Sequence, residues 1–217
     1  MNISIPKYLL QSVSYSMPTT DGRYPRAIQL TTNGTRARLV ATNGHHLTAV
    51  QWDMPISLEP IKCLLPYHLI KMVLRIPLSE IDLSIVEILS ATSPNQFSIY
   101  LWENKKQYFA PDKYFPNWQH ALPTEPTEFP LGVPLLPVDP KYHVSAAKSI
   151  RAFLLWEHQI RATEGRFAWM QYLPIPLYHG QRNLPIYVTQ IRDNFLHMIA
   201  PIERNPASGL NVADWAP

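Results

Sequence analysis

The chain has 217 residues, 46% of them hydrophobic and only 16% charged, which suits one large or two modest ordered domains and excludes a solvated, disordered polymer. Its 22 prolines against 7 glycines exclude a flexible linker composition, and its single cysteine, Cys63, excludes an internal disulfide and fits a reducing compartment. The net charge of +3 arises in residues 1–123, where 11 lysines and arginines face 8 acids, an excess too small to establish nucleic-acid binding by itself.

No apolar run approaches the roughly 18 residues needed to span a bilayer, and the first residues lack the zones of a signal peptide. A cytoplasmic protein without a membrane contact is expected. In chain order, residues 2–5 form a short strand that runs into Pro6, and residues 7–17 place Leu9, Leu10, Val13 and Met17 at helical spacing. Residues 27–32, 36–42 and 46–52 alternate as strands around Asn33-Gly34 and Asn43-Gly44. Asn-Gly adopts the positive φ angles of a hairpin turn at little cost, so a three-stranded antiparallel meander is expected.

A strand at 62–65 leads through Pro66 into a second helix, 67–75, stopped by Pro77. Strands at 85–89 and 97–103 follow, then 107–110 across an Asn-Lys-Lys turn. The module closes with Phe115-Pro116-Asn117-Trp118-Gln119-His120-Ala121-Leu122-Pro123. Residues 124–137 have the proline spacing of a stiff connection, so the expected units are 1–123, the proline-rich 124–137, and a shorter second module, 138–217. That module opens on Pro140-Lys141-Tyr142-His143-Val144, an echo of Pro6-Lys7-Tyr8-Leu9-Leu10, and enters a helix. Strands are expected near 155–162, 166–172, 186–191 and 195–202, with a proline-rich loop at 173–185.

The second helix places His68, Lys71 and Arg75 on one side, opposite Leu69, Ile70, Val73 and Leu74. The helix after Pro140 repeats the device, with Lys141, Lys148 and Arg151 opposed to Tyr142, Ala146, Ile150 and Phe153. Neither basic face contains an acid, which favours an anionic partner such as the backbone of double-stranded DNA, although an amphipathic surface helix explains either one alone. Cations without a stacking platform hold phosphates by charge and give affinity without base readout.

No catalytic constellation emerges. His45-His46 with His68 and His120 is the best cluster of histidines, yet neighbours on a strand point to opposite faces, and no known metal-ligand spacing is present. Paired carboxylates, nucleophile elbows and phosphate-binding loops are missing. The expectation is a non-enzyme without cofactor or metal.

Three runs then resemble one family in order and spacing. They are Ser14-Tyr15-Ser16-Met17 followed by Arg23-Tyr24; Arg38-Leu39-Val40-Ala41-Thr42-Asn43-Gly44-His45-His46-Leu47; and the closing run 115–123. Residues 1–123 resemble the middle domain of the bacterial DNA polymerase III beta subunit, the sliding clamp. Val138-Asp139-Pro140-Lys141-Tyr142 and Met198-Ile199-Ala200-Pro201-Ile202 resemble runs of its last domain. The resemblance implies an α+β fold of DNA-clamp (processivity-fold) domains, each of antiparallel sheets backed by two helices. It also implies a ring that encircles DNA and tethers a polymerase.

By the same resemblance, polymerase or repair partners dock a short peptide with leucine and aromatic anchors in an apolar interdomain pocket. Carried over residue by residue, that pocket would use Thr42, Gly44, His45, His46, Leu47, Pro116, His120, Ala121, Met198, Ala200, Pro201 and Ile202. Arg23 and Tyr24 would face DNA beside the two basic helices. This sequence departs from the family at His46 and His120, where arginine is usual, at Arg26, where an apolar pocket residue is usual, and at Tyr67, often a cation. A domain is also missing, and the second module has a pattern closer to the latter part of a clamp domain: if it is a complete domain, three two-domain chains could close a six-domain ring, and if it is half a domain, ring closure does not follow. The rival expectation is a clamp-fold interaction protein that does not encircle DNA and competes for replication partners. A small hydrolase built on His45 or His46 lacks a nucleophile and an orienting acid.

Overall fold

Two prolines set the pattern of the first module, each ending a strand and starting a helix. In the computed structural model the described residues are 1–20, 22–88, 96–103, 105–111, 113–121, 140–163, 177–179, 185–191, 194–199, 202–205 and 209–212. Strand β1 (Asn2–Pro6) passes into α1 (Lys7–Ser14), whose first N–H is satisfied by Ser79 O at 2.8 Å. The long strands β2 (Ala27–Thr42) and β3 (His46–Pro66) follow, and Pro66 leads into α2 (Tyr67–Val73), where Tyr67 N donates to Arg26 O at 3.0 Å. Then come β4 (Glu80–Ile88), β5 (Gln96–Leu101), β6 (Lys106–Phe109) and a 3₁₀ turn at Trp118–Ala121. The second module supplies α3 (Pro140–Thr163), β7 (Leu177–His179), β8 (Pro185–Ile191), β9 (Phe195–Ile199), β10 (Ile202–Asn205) and β11 (Gly209–Val212).

The strands form an antiparallel sheet in the order β1-β4-β5-β6, a second in the order β2-β3-β9-β8-β7, and a β10-β11 pair. The second sheet crosses from one module to the other where His46–Val50 pairs with Ile199–Phe195. One core cluster also draws on both modules. It joins Leu9, Leu10 and Val13 of α1 and Ile28, Leu30 and Leu39 of β2 to Phe153 and Trp156 of α3 and Phe195 of β9. Helices α1 and α3 pack together, with Ser12 Oγ donating to Ser149 O at 2.8 Å inside the contact.

Several sequence expectations are corrected: residues 177–179, expected in a loop, form β7, Pro185 opens β8, and the strands expected at 46–52 and 62–65 are parts of one strand, β3. Asn33-Gly34 is not a hairpin turn: residues 27–42 are one strand, and Gly34, at φ +61°, sits where the β2–β3 register shifts. The positive φ that suits a hairpin turn equally suits a bulge, and here residues 27–32 pair with 61–66, giving a bent two-stranded ribbon instead of a meander. Residues 155–162 are helical, because α3 runs to Thr163; Phe153 and Trp156 continue its buried stripe. The expected strand 195–202 is two strands, β9 and β10. Strand 186–191 is found in β8, whereas 166–172 and 124–137 lie outside the described residues.

Candidate docking and DNA-facing surfaces

The turn between β2 and β3 is fixed by its own side chains. Asn43 Oδ1 accepts from the N–H groups of His45 and His46 at 3.0 and 3.1 Å, while Thr42 Oγ1 accepts from Gly44 N at 3.1 Å and donates to His46 O at 2.9 Å. Gly44 has φ +89°, and a Cβ there would lie 2.3 Å from Cε2 of Tyr24. Only glycine satisfies both conditions. Tyr24 is thus placed against this turn, with Arg23 exposed beside it and its guanidinium carbon 5.9 Å from the Tyr24 ring centre.

Side chains alternate between the faces of β3 and β9, which splits the motif in two. Leu47 and Met198 are register partners on the outer face, away from the helices, and join Ala27, Val40, Ala49, Leu64 and Phe115 in an apolar cluster edged by Trp118 and Leu196. Pro116 is buried next to Phe115. His46, Thr48 and His197 point to the helix side. His45 lies in the turn rather than the strand, so both imidazoles reach Tyr142 of α3, with centroids 5.3 Å (His45) and 4.9 Å (His46) from its ring.

A buried polar chain crosses the seam between the modules. His46 Nδ1 lies 3.1 Å from Ser16 Oγ, Ser16 Oγ lies 2.6 Å from Thr48 Oγ1, and Thr48 Oγ1 lies 2.7 Å from His197 Nδ1. Three links and two hydroxyl protons require one imidazole to donate from Nδ1. His197 Nε2 is buried without a partner, so His197 is the suitable donor: its Nε2 then carries a lone pair instead of a stranded N–H. Burial, with the charges of His45 and Lys141 adding to it, pushes His46 down to about 4. Burial first, then His46 and His143, pushes His197 down to about 3. Both are neutral at pH 7, and the chain is structural glue between β3, β9 and the end of α1.

The cations predicted for DNA are exposed: His68, Lys71 and Arg75 on and just after α2, and Lys141, Lys148 and Arg151 on α3. The Lys71 ammonium lies 6.0 Å from the Tyr67 ring centre and that of Lys148 5.9 Å from Tyr15, so tyrosines support both stems. Arg26 lays its guanidinium 3.7 Å over Tyr67, which returns a cation to the start of α2. The structure brings Thr42, Gly44, His45 and His46 to one turn, and Leu47 and Met198 to the outer face beside it, where Phe115, the neighbour of buried Pro116, joins their cluster. His120 and Ala121 belong to the 3₁₀ turn and Ile202 opens β10, but their side chains, like Ala200 and Pro201 entirely, lie outside the described residues. Sequence reasoning missed Ser16, Thr48, Tyr142 and His197; period-2 alternation from His46 identifies Thr48, Ser16 depends on how the segment after α1 packs against β3, and Tyr142 and His197 depend on pairing across the modules.

No family model and no curated protein matches the sequence. Among solved structures, the DNA polymerase III beta subunit of Thermotoga maritima superposes with a TM-score of 0.58 at 12% identity, over 94% of this chain and 65% of that one. A candidate DNA polymerase III beta subunit of Eubacterium rectale gives 0.57 at 9% identity, over 94% and 66%. The subunit of Pseudomonas aeruginosa is 24% identical over 58% of this chain and 36% of its own, with a TM-score of 0.47. The chain spans less than two thirds of the length of each of these proteins. At such identities the likeness speaks to architecture, and the architecture is α+β, with antiparallel sheets and few helices: the chain has the sliding-clamp fold of DNA polymerase III beta subunits.

Proposed function

We propose that this protein is a clamp-like processivity factor, not an enzyme, that holds double-stranded DNA without sequence preference and docks polymerase or repair proteins through short peptides. The observation that carries the reading is the pair of helices, α2 and α3, that expose lysine, arginine and histidine outward while burying their other stripe in the shared core. Backbone phosphates are the ligand such cations suit, and phosphate contact without base contact permits sliding. The assigned DNA-facing residues are Arg23, Tyr24, His68, Lys71, Arg75, Lys141, Lys148 and Arg151. The placement of Tyr24 against Gly44 gives it a second task, shaping the turn.

Partner peptides are assigned to the outer apolar cluster, centred on Leu47, Pro116 and Met198 with Thr42, Gly44 and His45 at its rim, and extending to His120, Ala121, Ala200, Pro201 and Ile202. His46 supports this surface from the helix side of the sheet through Ser16. The domain reading is 1–123 and 138–217 joined by 124–137. Among the described residues no helix is long and apolar enough to cross a membrane.

The decisive measurement is the affinity for a 40-base-pair duplex across a salt series, for the wild type and for a variant with Lys71, Arg75, Lys148 and Arg151 all changed to glutamine. Each lost phosphate contact lowers the slope of log K against log salt by about 0.9, so the variant, which loses four cations, should have a slope shallower by about 3.6 and an affinity at least tenfold weaker. Equal slopes and affinities would sink the DNA assignment.

A further inference from the structure

Beside the apolar cluster, on the sheet face turned away from α1 and α3, a cleft of about 630 Å³ opens between the β2–β3 ribbon and the segment around Trp118. Its side follows from alternation. Ile28 and Leu30, and beyond the bulge Ala37 and Leu39, enter the core, so Gln29 and Arg38, each between two of them, emerge on the other face and line the cleft. Arg36, Arg38 and Lys62 supply three cations against one acid, Asp53.

Those cations are not consumed by their neighbours. Arg36 and Asp53 meet only at 3.6 Å with both side chains exposed, a contact of little strength. Arg38 donates from Nε and Nη2 to the single Oε1 of Gln51, at 3.3 and 3.0 Å, which leaves three of its five N–H donors outside that contact. Burial, and secondarily the charge of Arg36, lowers the Arg38 pKa, the mark of a half-buried cation that gains from a neighbouring anion. No salt bridge to Lys62 is found among the described residues.

The cleft and the apolar cluster share a wall. Trp118 packs against the cluster that holds Leu47, Phe115 and Met198, lines the cleft, and has the Arg38 guanidinium 5.5 Å from its ring centre. We infer that this cleft receives an acidic flank of the same partner peptides, aspartate or glutamate side chains next to the apolar anchors. The inference rests on the peptide-docking reading above. A carboxylate suits the remaining guanidinium donors and the Lys62 ammonium, which recognise planar oxyanions at hydrogen-bond range. A nucleic-acid strand suits the cleft less well, since Trp118 is packed on one side and covered by Arg38, and so forms a wall rather than a platform for stacked bases.

Fluorescence anisotropy with labelled synthetic peptides tests this on the full chain. One peptide series carries leucine and phenylalanine anchors with two glutamates on either flank, and a matched series carries glutamines instead. The glutamate peptide of one flank should bind about tenfold more tightly than its glutamine match in about 50 mM NaCl, and the preference should vanish near 500 mM as the charges are screened. Arg38→Gln with Lys62→Gln should abolish the preference while leaving the glutamine peptide's affinity unchanged; Lys71→Gln with Lys148→Gln, on the helices, should leave the preference intact. Equal binding of both series overturns the acidic-flank assignment and leaves peptide docking standing. Binding of neither series overturns both. An oligothymidylate whose binding depends on Arg38 and Lys62, with no glutamate preference among peptides, gives the cleft to single-stranded DNA and overturns the inference.

Discussion

Gly44 and the His46–Ser16–Thr48–His197 chain show how single residues hold the candidate site. Changing Gly44 to alanine forces a side chain into φ +89° and places its Cβ against Tyr24, so a loss of about 1–3 kcal/mol in urea unfolding is expected. Adding Tyr24→Ala removes the collision but not the backbone strain, so the double variant should recover only part; full recovery would show that the angle costs nothing. The buried histidines give a pH signature. Their folded values, about 4 for His46 and about 3 for His197, lie below the ordinary 6.5, so the folded state stays neutral where the unfolded chain takes up protons. Stability is therefore full above pH 6.5 and falls as the pH drops towards 4, by roughly 1.4 kcal/mol per pH unit for each histidine. Unfolding midpoints measured between pH 7 and 5.5 should fall accordingly, and His197→Asn should remove about half of the slope. A flat profile over that window would mean that the pair is not held neutral.

At the level of elements, the seam between the modules carries the testable weight. Phe195 of β9 is fully buried and packs 5.0 Å from Phe153 of α3, inside the cluster that also contains α1 and β2. Phe195→Ala should cost about 3–5 kcal/mol and should lower a single shared transition; two separate transitions in the variant's calorimetric trace would show that the modules fold independently. The sequence announces the helices and most strands of the first module, because Pro6 and Pro66 punctuate them and the leucine and valine spacing is regular. It misleads at Asn33-Gly34, where one dipeptide serves a bulge as readily as a turn, and at 155–162, where the apolar residues of a long helix pass for a strand. The seam is illegible for a different reason. His197 and Ser16 lie 181 positions apart, and only the pairing of β3 with β9 brings them to the same hydroxyl. The motif turn was legible as a unit, but not its division into an outer apolar face and an inner polar chain.

For the whole molecule, the question is how copies of the chain assemble. The four-stranded sheet ends in β6, whose Phe109 is 58% exposed; Val86, Ser98 and Phe109 form one row across its outer face, with Tyr100 beside them and Trp102 beyond. An edge strand with exposed aromatic side chains readily accepts another strand, and Lys105 and Lys106 lie at its start. A second copy is the economical occupant if the protein closes a ring of six domains from three chains. Light scattering after size exclusion should then give the mass of three 25.0 kDa chains across a wide concentration range. Phe109→Glu, which places a charge in the row without touching the core, should release monomers that fold normally and still bind peptide. A wild-type monomer at every concentration would remove topological tethering. The exposed cations of α2 and α3 would then have to hold DNA by charge alone, and the fold would serve a protein that competes for replication partners rather than one that encircles their template.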